Sequence, residues 1–188
     1  ICEAGAGGMG RVYVATDTRL GRKVALKAVR STDEPAQRER LRREARAAAA
    51  LAHPGICTVY ALEEIDGEIY LASEYVEGRT LRQEIASGVR PSAEMVVATA
   101  NEAAAALSAA HSAGITHGDL KPENVIRALT GHIKILDFGL ARFEPPDGAG
   151  SALPTLTGAD GVLLGTPPYM APEELKGGPR SARADVFA

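Results

Sequence analysis

The stretch Thr116–Ile126, THGDLKPENVI, gathers a histidine, two acids, a lysine and an asparagine within eleven residues. Apolar residues flank it on both sides, and its glycine and proline are incompatible with a helix that continues through it. We therefore predict a loop whose polar side chains carry chemistry. The bare Gly118 immediately before Asp119 needs its own explanation.

A short β-ribbon is expected to follow this loop and to bring two oxygen donors together. Residues 125–127 and 132–136 are strand-like, and a glycine-containing turn separates them. Residues equidistant from such a turn face each other in an antiparallel hairpin, so we expect Asn124 opposite Asp137. An amide oxygen and a carboxylate at neighbouring strand ends suit Mg²⁺, and Asp119 is near enough to reach a substrate hydroxyl. The simpler alternative is that these three residues cap strand ends.

The rest of the chain predicts an α+β fold with a small antiparallel sheet lobe followed by a mainly helical lobe. Strand patterns run up to about residue 76, including a strand pair at 56–62 and 68–75, and one helix at about 34–51 interrupts them. After residue 78 the pattern becomes helical, with a capping box at Thr80–Gln83 and a long helix capped by Ser92. We place the lobes at residues 1–77 and 78–188.

The glycine-rich stretch Gly5–Gly10, GAGGMG, fits one of three nucleotide-binding arrangements. A Walker-type loop would end in Gly-Lys-Ser/Thr, which is absent, and a dinucleotide-binding fold would continue into a helix. Residues 12–29 read instead as a hairpin, which leaves a glycine-rich turn between strands that covers nucleotide phosphates. A flexible turn without a ligand is an equal alternative at this point.

A lysine and a glutamate are expected to pair in the sheet lobe. Glu44 lies on the same helical stripe as Leu41 and Leu51, so its carboxylate is centred on an apolar face. Lys27 alternates in phase with Ala25 and therefore points to a packed face of its strand. Because a buried carboxylate needs a cation, we predict a Lys27–Glu44 ion pair. The alternative is that each side chain reaches water independently.

Taken together and in order, these motifs resemble those of the bacterial eukaryotic-like serine/threonine protein kinases. The matching stretches are GAGGMGRV at 5–12, VALK at 24–27, Glu44, HGDLKPEN at 117–124, DFG at 137–139 and GTPPYMAPE at 165–173. The resemblance covers nearly the whole chain and implies a two-lobed kinase fold. It also implies a chain that starts within the first strand and stops before further C-terminal helices.

The resemblance implies transfer of the ATP γ-phosphate to Ser/Thr hydroxyls of proteins, with a role for each residue. Lys27, held by Glu44, would bind the α- and β-phosphates, while Asn124 and Asp137 would hold Mg²⁺, with Mn²⁺ as the alternative cation. Asp119 would accept the hydroxyl proton, Lys121 would stabilise the transferring charge, and Thr166 would order these two. The residues implied to contact ATP are Gly5, Gly7, Gly8, Gly10, Val12, Ala25, Lys27, Ser73, Glu74, Val76 and Ile126. The small Ser73 predicts an open rear cavity.

One departure concerns regulation, because most of the family has an arginine where Gly118 stands. That arginine binds a phosphorylated residue of the activation segment. Gly118 offers no cation, so we expect activity to depend little on phosphorylation of Ser151, Thr155 or Thr157.

Composition limits the other functions open to the chain. A formal net charge of −3 gives no basic field for nucleic acid or acidic membranes, and no apolar run is long enough to span a bilayer. Two isolated cysteines favour a reduced, cytoplasmic protein, although the parent could be membrane-anchored. The alternatives are a pseudokinase scaffold, which the intact motif residues disfavour, and a small-molecule phosphotransferase, which DFG and Ala171–Glu173 disfavour.

Overall fold

The computed structural model describes residues 2–7, 10–29, 35–65, 68–138 and 167–188, with backbone alone for 2–7, 10, 37 and 167. The described chain divides into two compact units. The first contains the described residues up to Ala50 together with those of Thr58–Tyr75, and the second contains Leu51–Cys57 and the described residues from Val76 onward.

The first unit is a five-stranded antiparallel sheet with one helix. Its strands are β1 (Cys2–Gly7), β2 (Gly10–Asp17), β3 (Arg22–Val29), β4 (Val59–Ile65) and β5 (Glu68–Glu74), and its helix is α1 (Pro35–Ala49). The strand order is β1-β2-β3-β5-β4, so β3 and β5 pair across the sequence that contains the helix. The buried Ala45 of α1 and Leu71 of β5 form a core cluster with Val29, Val59 and Leu62.

The turn between β2 and β3 forms for local reasons. The Asp17 carboxylate accepts hydrogen bonds from the backbone N–H groups of Arg19 at 3.1 Å and Leu20 at 3.2 Å. Gly21 closes the turn at a φ of 64°, a conformation that glycine adopts without steric cost. These contacts fix the register in which Val12 lies opposite Lys27.

The second unit combines a three-stranded sheet with helices. Its strands are β6 (Gly78–Thr80), β7 (Val125–Ala128) and β8 (Ile133–Ile135), and its helices are α2 (Leu81–Ala86), α3 (Ala93–Ser112), α4 (Pro172–Leu175) and α5 (Ala182–Phe187). The predicted capping box of α2 is present, with Thr80 and Gln83 bonding reciprocally, and Ser92 caps α3. The core buries one face of α3 against β7 and β8, with Phe138 beside them.

One predicted strand starts later than the sequence suggested. The pattern placed a strand at residues 56–62, but β4 begins at Val59. Ile56 is instead fully buried in the core of the second unit and forms an isolated bridge to Ile135. Backbone bonds from Ile135 N to Gly55 O and from Cys57 N to Ile135 O, both 2.8 Å, hold it there. The apolar pattern continues from β4 back to Ile56 because Ile56 is also buried, but in the core of the second unit.

The α+β class and the sheet-plus-helices architecture agree with the prediction. Within the described residues, none of the helices combines the length and the apolar character that crossing a bilayer requires. The sequence also predicts a cap for α1 at Thr32 or Asp33 and a turn at Asp66–Gly67, and these residues lie outside the described ones.

Candidate active site

The polar loop that follows α3 is held in place by hydrogen bonds to one buried carboxylate. Asp185 of α5 accepts hydrogen bonds from the backbone N–H groups of His117 and Gly118, each at 2.8 Å. Its Oδ2 also lies 2.8 Å from Nε2 of His111, on the last turn of α3. Asp185 is 3% exposed, so these bonds satisfy a carboxylate that water hardly reaches. The loop, α3 and α5 are therefore joined at a single group.

The histidine of the loop is structural and neutral. His117 is 1% exposed, its Nδ1 accepts the backbone N–H of Asp119 at 3.2 Å, and its Nε2 lies 2.8 Å from the carbonyl oxygen of Leu136. A carbonyl can only accept, so Nε2 carries the proton. Burial lowers the pKa of His117 below its ordinary value, which keeps the ring neutral and this tautomer in place. Phe138 packs edge-on against the ring at a centroid distance of 5.0 Å.

This buried histidine predicts a pH dependence of stability. Its pKa is lower in the folded than in the unfolded chain, so below about pH 6.5 the unfolded chain binds more protons. The free energy of unfolding is therefore expected to fall as the pH drops from 7 to 5, by at most about 1.4 kcal/mol per pH unit from this group. Urea titrations at a series of pH values would give the free energy of unfolding of the wild type and of His117→Phe. Its slope against pH should be steeper for the wild type between pH 7 and pH 5, and the two slopes should agree above pH 7.5. Equal slopes throughout would contradict this assignment.

Asp119 is held at its backbone and at its side chain. Its N–H donates to His117 Nδ1, its carbonyl oxygen accepts the Asn124 Nδ2 amide at 2.8 Å, and its Oδ2 is paired with Lys121 Nζ. The side chains of Asp119 and Lys121 are 6% and 11% exposed, so the ion pair is largely shielded from solvent. A carboxylate fixed in this way has a defined direction, as a general base requires.

The ribbon register differs by one residue from the prediction. Val125 lies opposite Ile135, and Leu136 N donates to Asn124 O at 2.8 Å, so Asn124 faces Leu136 rather than Asp137. The backbone N–H of Ala128 donates to the carbonyl oxygen of His132 at 2.9 Å, so three residues, 129–131, lie between these two paired positions. Gly131 closes the turn at a φ of 89°, and an odd number of turn residues centres the hairpin on a residue. The prediction had centred it between two residues. Asp137 follows at the same end of the ribbon.

Asn124 and Asp137 have features that fit a metal site. Asn124 is 1% exposed, and its Oδ1 is a buried acceptor without a hydrogen-bond partner. Leaving such an oxygen unpaired costs free energy, which a cation bound to it would recover. Asp137 has a φ of 58°, an uncommon conformation for a non-glycine residue that is typical of functional positions. Among the described residues, no group of three or more His, Cys, Asp or Glu could hold a metal ion by itself, but Mg²⁺ needs only one or two protein ligands when phosphates supply the rest.

The predicted Lys27–Glu44 pair is not formed among the described residues. Glu44 Oε1 bonds instead with Arg40 Nε at 3.1 Å, one turn earlier on α1. Neighbours four apart on a helix meet without any movement of the backbone, which explains the preference. Glu44 Oε2 is buried and has no hydrogen-bond partner. Lys27 lies in register with Leu71, whose side chain contacts α1 residue Ala45, so Lys27 points to the face of the sheet that α1 covers.

The comparisons with known proteins agree with this geometry. A family model described as the protein kinase domain matches residues 2–188. The chain belongs to the protein kinase domain family. A probable serine/threonine-protein kinase of Streptomyces coelicolor is 41% identical over 98% of this chain, and the serine/threonine-protein kinase PknA of Mycobacterium tuberculosis is 39% identical over 97%. This chain covers 27% and 42% of their lengths, so it spans well under half of these relatives.

A solved structure extends the comparison to the fold. The kinase domain of Mycobacterium tuberculosis PknI superimposes with a TM-score of 0.71 at 29% identity, covering 98% of this chain and 67% of that one. The resemblance to bacterial serine/threonine kinases and the kinase fold class, both expected from the sequence, are thereby confirmed.

In this kinase domain, the predicted nucleotide contacts are distributed over both units. The strand pairing places Gly7 opposite Gly10 and Ala25 opposite Ser73, and it brings Glu74 next to Thr58, whose N–H donates to the Glu74 carboxylate at 3.3 Å. Gly5 lies in β1 and Val12 in β2, while Val76 and Ile126 belong to the second unit. Gly8, Gly139, Ser151, Thr155, Thr157 and Thr166 lie outside the described residues.

Sequence reasoning missed the residue that organises the loop of this kinase domain. The sequence does not single out Asp185, because an acidic residue in the first turn of a helix is common at an exposed helix N-terminus. Asp185 and the residue before it, Ala184, are both buried, but the sequence pattern of a six-residue helix is too short to show which of its residues are buried.

Proposed function

We propose that this kinase domain transfers the γ-phosphate of ATP to serine or threonine hydroxyls of proteins. The observation that supports this most is the shielded Asp119–Lys121 pair, with the unsatisfied Asn124 Oδ1 in the same loop. Kinase relatives named for serine and threonine support the choice of acceptor.

Asp119 is the group that we assign to the acceptor hydroxyl. Its carboxylate would orient the hydroxyl and receive its proton as the oxygen attacks the phosphorus. Lys121, already in contact with Asp119, would place a positive charge beside the phosphoryl group, whose charge moves toward the leaving oxygen during transfer. The neutral His117 holds the Asp119 backbone and takes no proton itself.

ATP and a divalent cation are the cofactors implied for this site. Asn124 and Asp137 would hold the cation, and the oxygen ligands that the two residues offer suit a hard divalent cation such as Mg²⁺ or Mn²⁺. When bound, the cation neutralises phosphate charge and aligns the phosphates. In the first unit, the glycines of β1 and β2 let backbone N–H groups approach phosphate, while Lys27 would bind the α- and β-phosphates.

The direct test uses the complete parent protein with radiolabelled ATP and a generic basic protein as acceptor. We expect label in phosphoserine or phosphothreonine after acid hydrolysis. Label in phosphotyrosine alone, or transfer to a small molecule without any to protein, would contradict the proposal.

The Arg40–Glu44 contact suggests a sharper test of the role of Glu44. Both Glu44→Gln and Arg40→Gln remove the observed ion pair, but only the first removes a carboxylate that Lys27 could use. A role for Glu44 in ATP binding requires its carboxylate to leave Arg40 and pair with Lys27 in the ATP complex. On this proposal Glu44→Gln lowers kcat/KM for ATP about tenfold or more, because Lys27 has no carboxylate to orient it there.

Arg40→Gln is the matched control for this test. It should leave kcat/KM unchanged or raise it by up to about twofold, since an i,i+4 pair on a helix contributes only about 0.3–0.5 kcal/mol. Equal losses in the two variants would mean that Glu44 serves α1 through Arg40, and the assigned Lys27–Glu44 interaction would then be wrong.

A further inference from the structure

Gly118 lies against the side chain of Arg180. A Cβ atom added to Gly118 would be 2.8 Å from Arg180 Cδ and 2.9 Å from Nη1, closer than real Cβ atoms come to other heavy atoms. Gly118 also has a φ of 76°, which side chains rarely tolerate. Residue 118 is therefore glycine for two reasons: its backbone conformation and the arginine packed on it.

Arg180 and Asp185 hold the same turn from one short segment. Asp185 accepts the N–H groups of His117 and Gly118, while Arg180, five residues earlier, lies against Gly118 where a side chain would be. The N-cap of α5, Ser181, accepts a hydrogen bond from Ala184 N and fixes the geometry between these two residues. The turn that orients Asp119 is thus contacted by two residues of this segment, Arg180 and Asp185.

We propose that Arg180 is a positioning residue for Asp119, and that Gly118 and Arg180 act as a matched pair in which the arginine occupies the space of a residue-118 side chain. The inference rests on the proposed phosphoryl-transfer function. On this proposal Arg180, in the segment before α5, affects kcat although it neither binds ATP nor contacts the acceptor. The sequence-based expectation was that Gly118 itself offers no cation, and it did not include Arg180, which lies against Gly118.

The contact gives a clear prediction for single variants. Arg180→Ala removes the packing on Gly118 and lets the turn relax, so kcat should fall about tenfold or more because a small displacement of a catalytic group is costly. The KM for ATP should stay within about twofold of wild type, since the nucleotide contacts are elsewhere. Arg183→Ala, an exposed arginine of the same segment, is the matched control and should keep the wild-type kcat.

A double-variant cycle separates this role from general destabilisation. In Gly118→Ala the new methyl group displaces the Arg180 side chain and the backbone at a φ of 76° is strained as well, so kcat should fall at least as far as in Arg180→Ala. The kcat loss of the Gly118→Ala/Arg180→Ala variant should be smaller than the product of the two single losses, because the part of the Gly118→Ala loss that comes from displacing Arg180 is absent once Arg180 is alanine. Melting temperatures measured in parallel would show that the variants are folded at the assay temperature.

The outcomes are distinguishable from failure of the proposed function. If the wild-type parent protein transfers no phosphate, the proposed function fails first. If it is active and Arg180→Ala keeps the wild-type kcat, or if the two single losses multiply in the double variant, the pairing of Gly118 with Arg180 is overturned. A tenfold rise in the KM for ATP with unchanged kcat would also overturn it.

Discussion

Asp119→Asn in the parent protein is expected to lower kcat for phosphoryl transfer by on the order of a thousandfold, within the range for loss of a general base. Asparagine has the shape of aspartate but cannot accept the hydroxyl proton. The two main-chain bonds of residue 119, from its N–H to His117 and from Asn124 to its carbonyl oxygen, do not involve the carboxylate and should survive. The loss should therefore be in chemistry, with the affinity for ATP retained.

The measurement is initial-rate transfer from radiolabelled ATP, with nucleotide affinity determined separately by equilibrium titration. Asp17→Asn, in the exposed turn between β2 and β3, changes the same functional group far along the sequence and should keep wild-type rates. If Asp119→Asn stayed within tenfold of wild type, the general-base role would have to be given up. A large loss of ATP affinity would point to a structural role.

The features that could be predicted from the sequence are those that local contacts determine. The caps of α2 and α3 involve residues three positions apart, so a capping box at Thr80–Gln83 and a Ser92 cap were visible in the sequence itself. The β2–β3 hairpin and the polar loop followed from alternation and from glycine and proline positions. The kinase motifs added the order in which these elements occur.

The features that could not be predicted depend on residues far apart in the chain. Asp185 meets His117 across 68 positions, and Ile56 joins β8 because the core of the second unit buries it there. The register at Asn124 depends on one residue in the turn, and the hydrophobic pattern of strands of four and three residues is too short to fix it. The Arg40–Glu44 contact arose because a neighbour on the same helix was nearer than a partner on the sheet.

Replacing Asn124 should have the second large effect, because its amide has two separate roles. Nδ2 donates to the Asp119 carbonyl at 2.8 Å, while Oδ1 is buried and unpaired. Asn124→Ala removes both, whereas Asn124→Asp keeps an oxygen for a cation and loses only the donor. Comparing these variants separates support of the catalytic loop from binding of a cation. We expect transfer to be impaired in both variants, but cation binding to fail only in the alanine variant.

Electron paramagnetic resonance of Mn²⁺, a spectroscopic substitute for Mg²⁺, tests the oxygen-donor site most directly. Mn²⁺ would be titrated into the parent protein with a non-hydrolysable ATP analogue. The account predicts binding at least about tenfold weaker in Asn124→Ala than in wild type, and wild-type or tighter binding in Asn124→Asp. Mn²⁺ binding that is the same in all three proteins would contradict the assignment of Asn124 as a metal ligand.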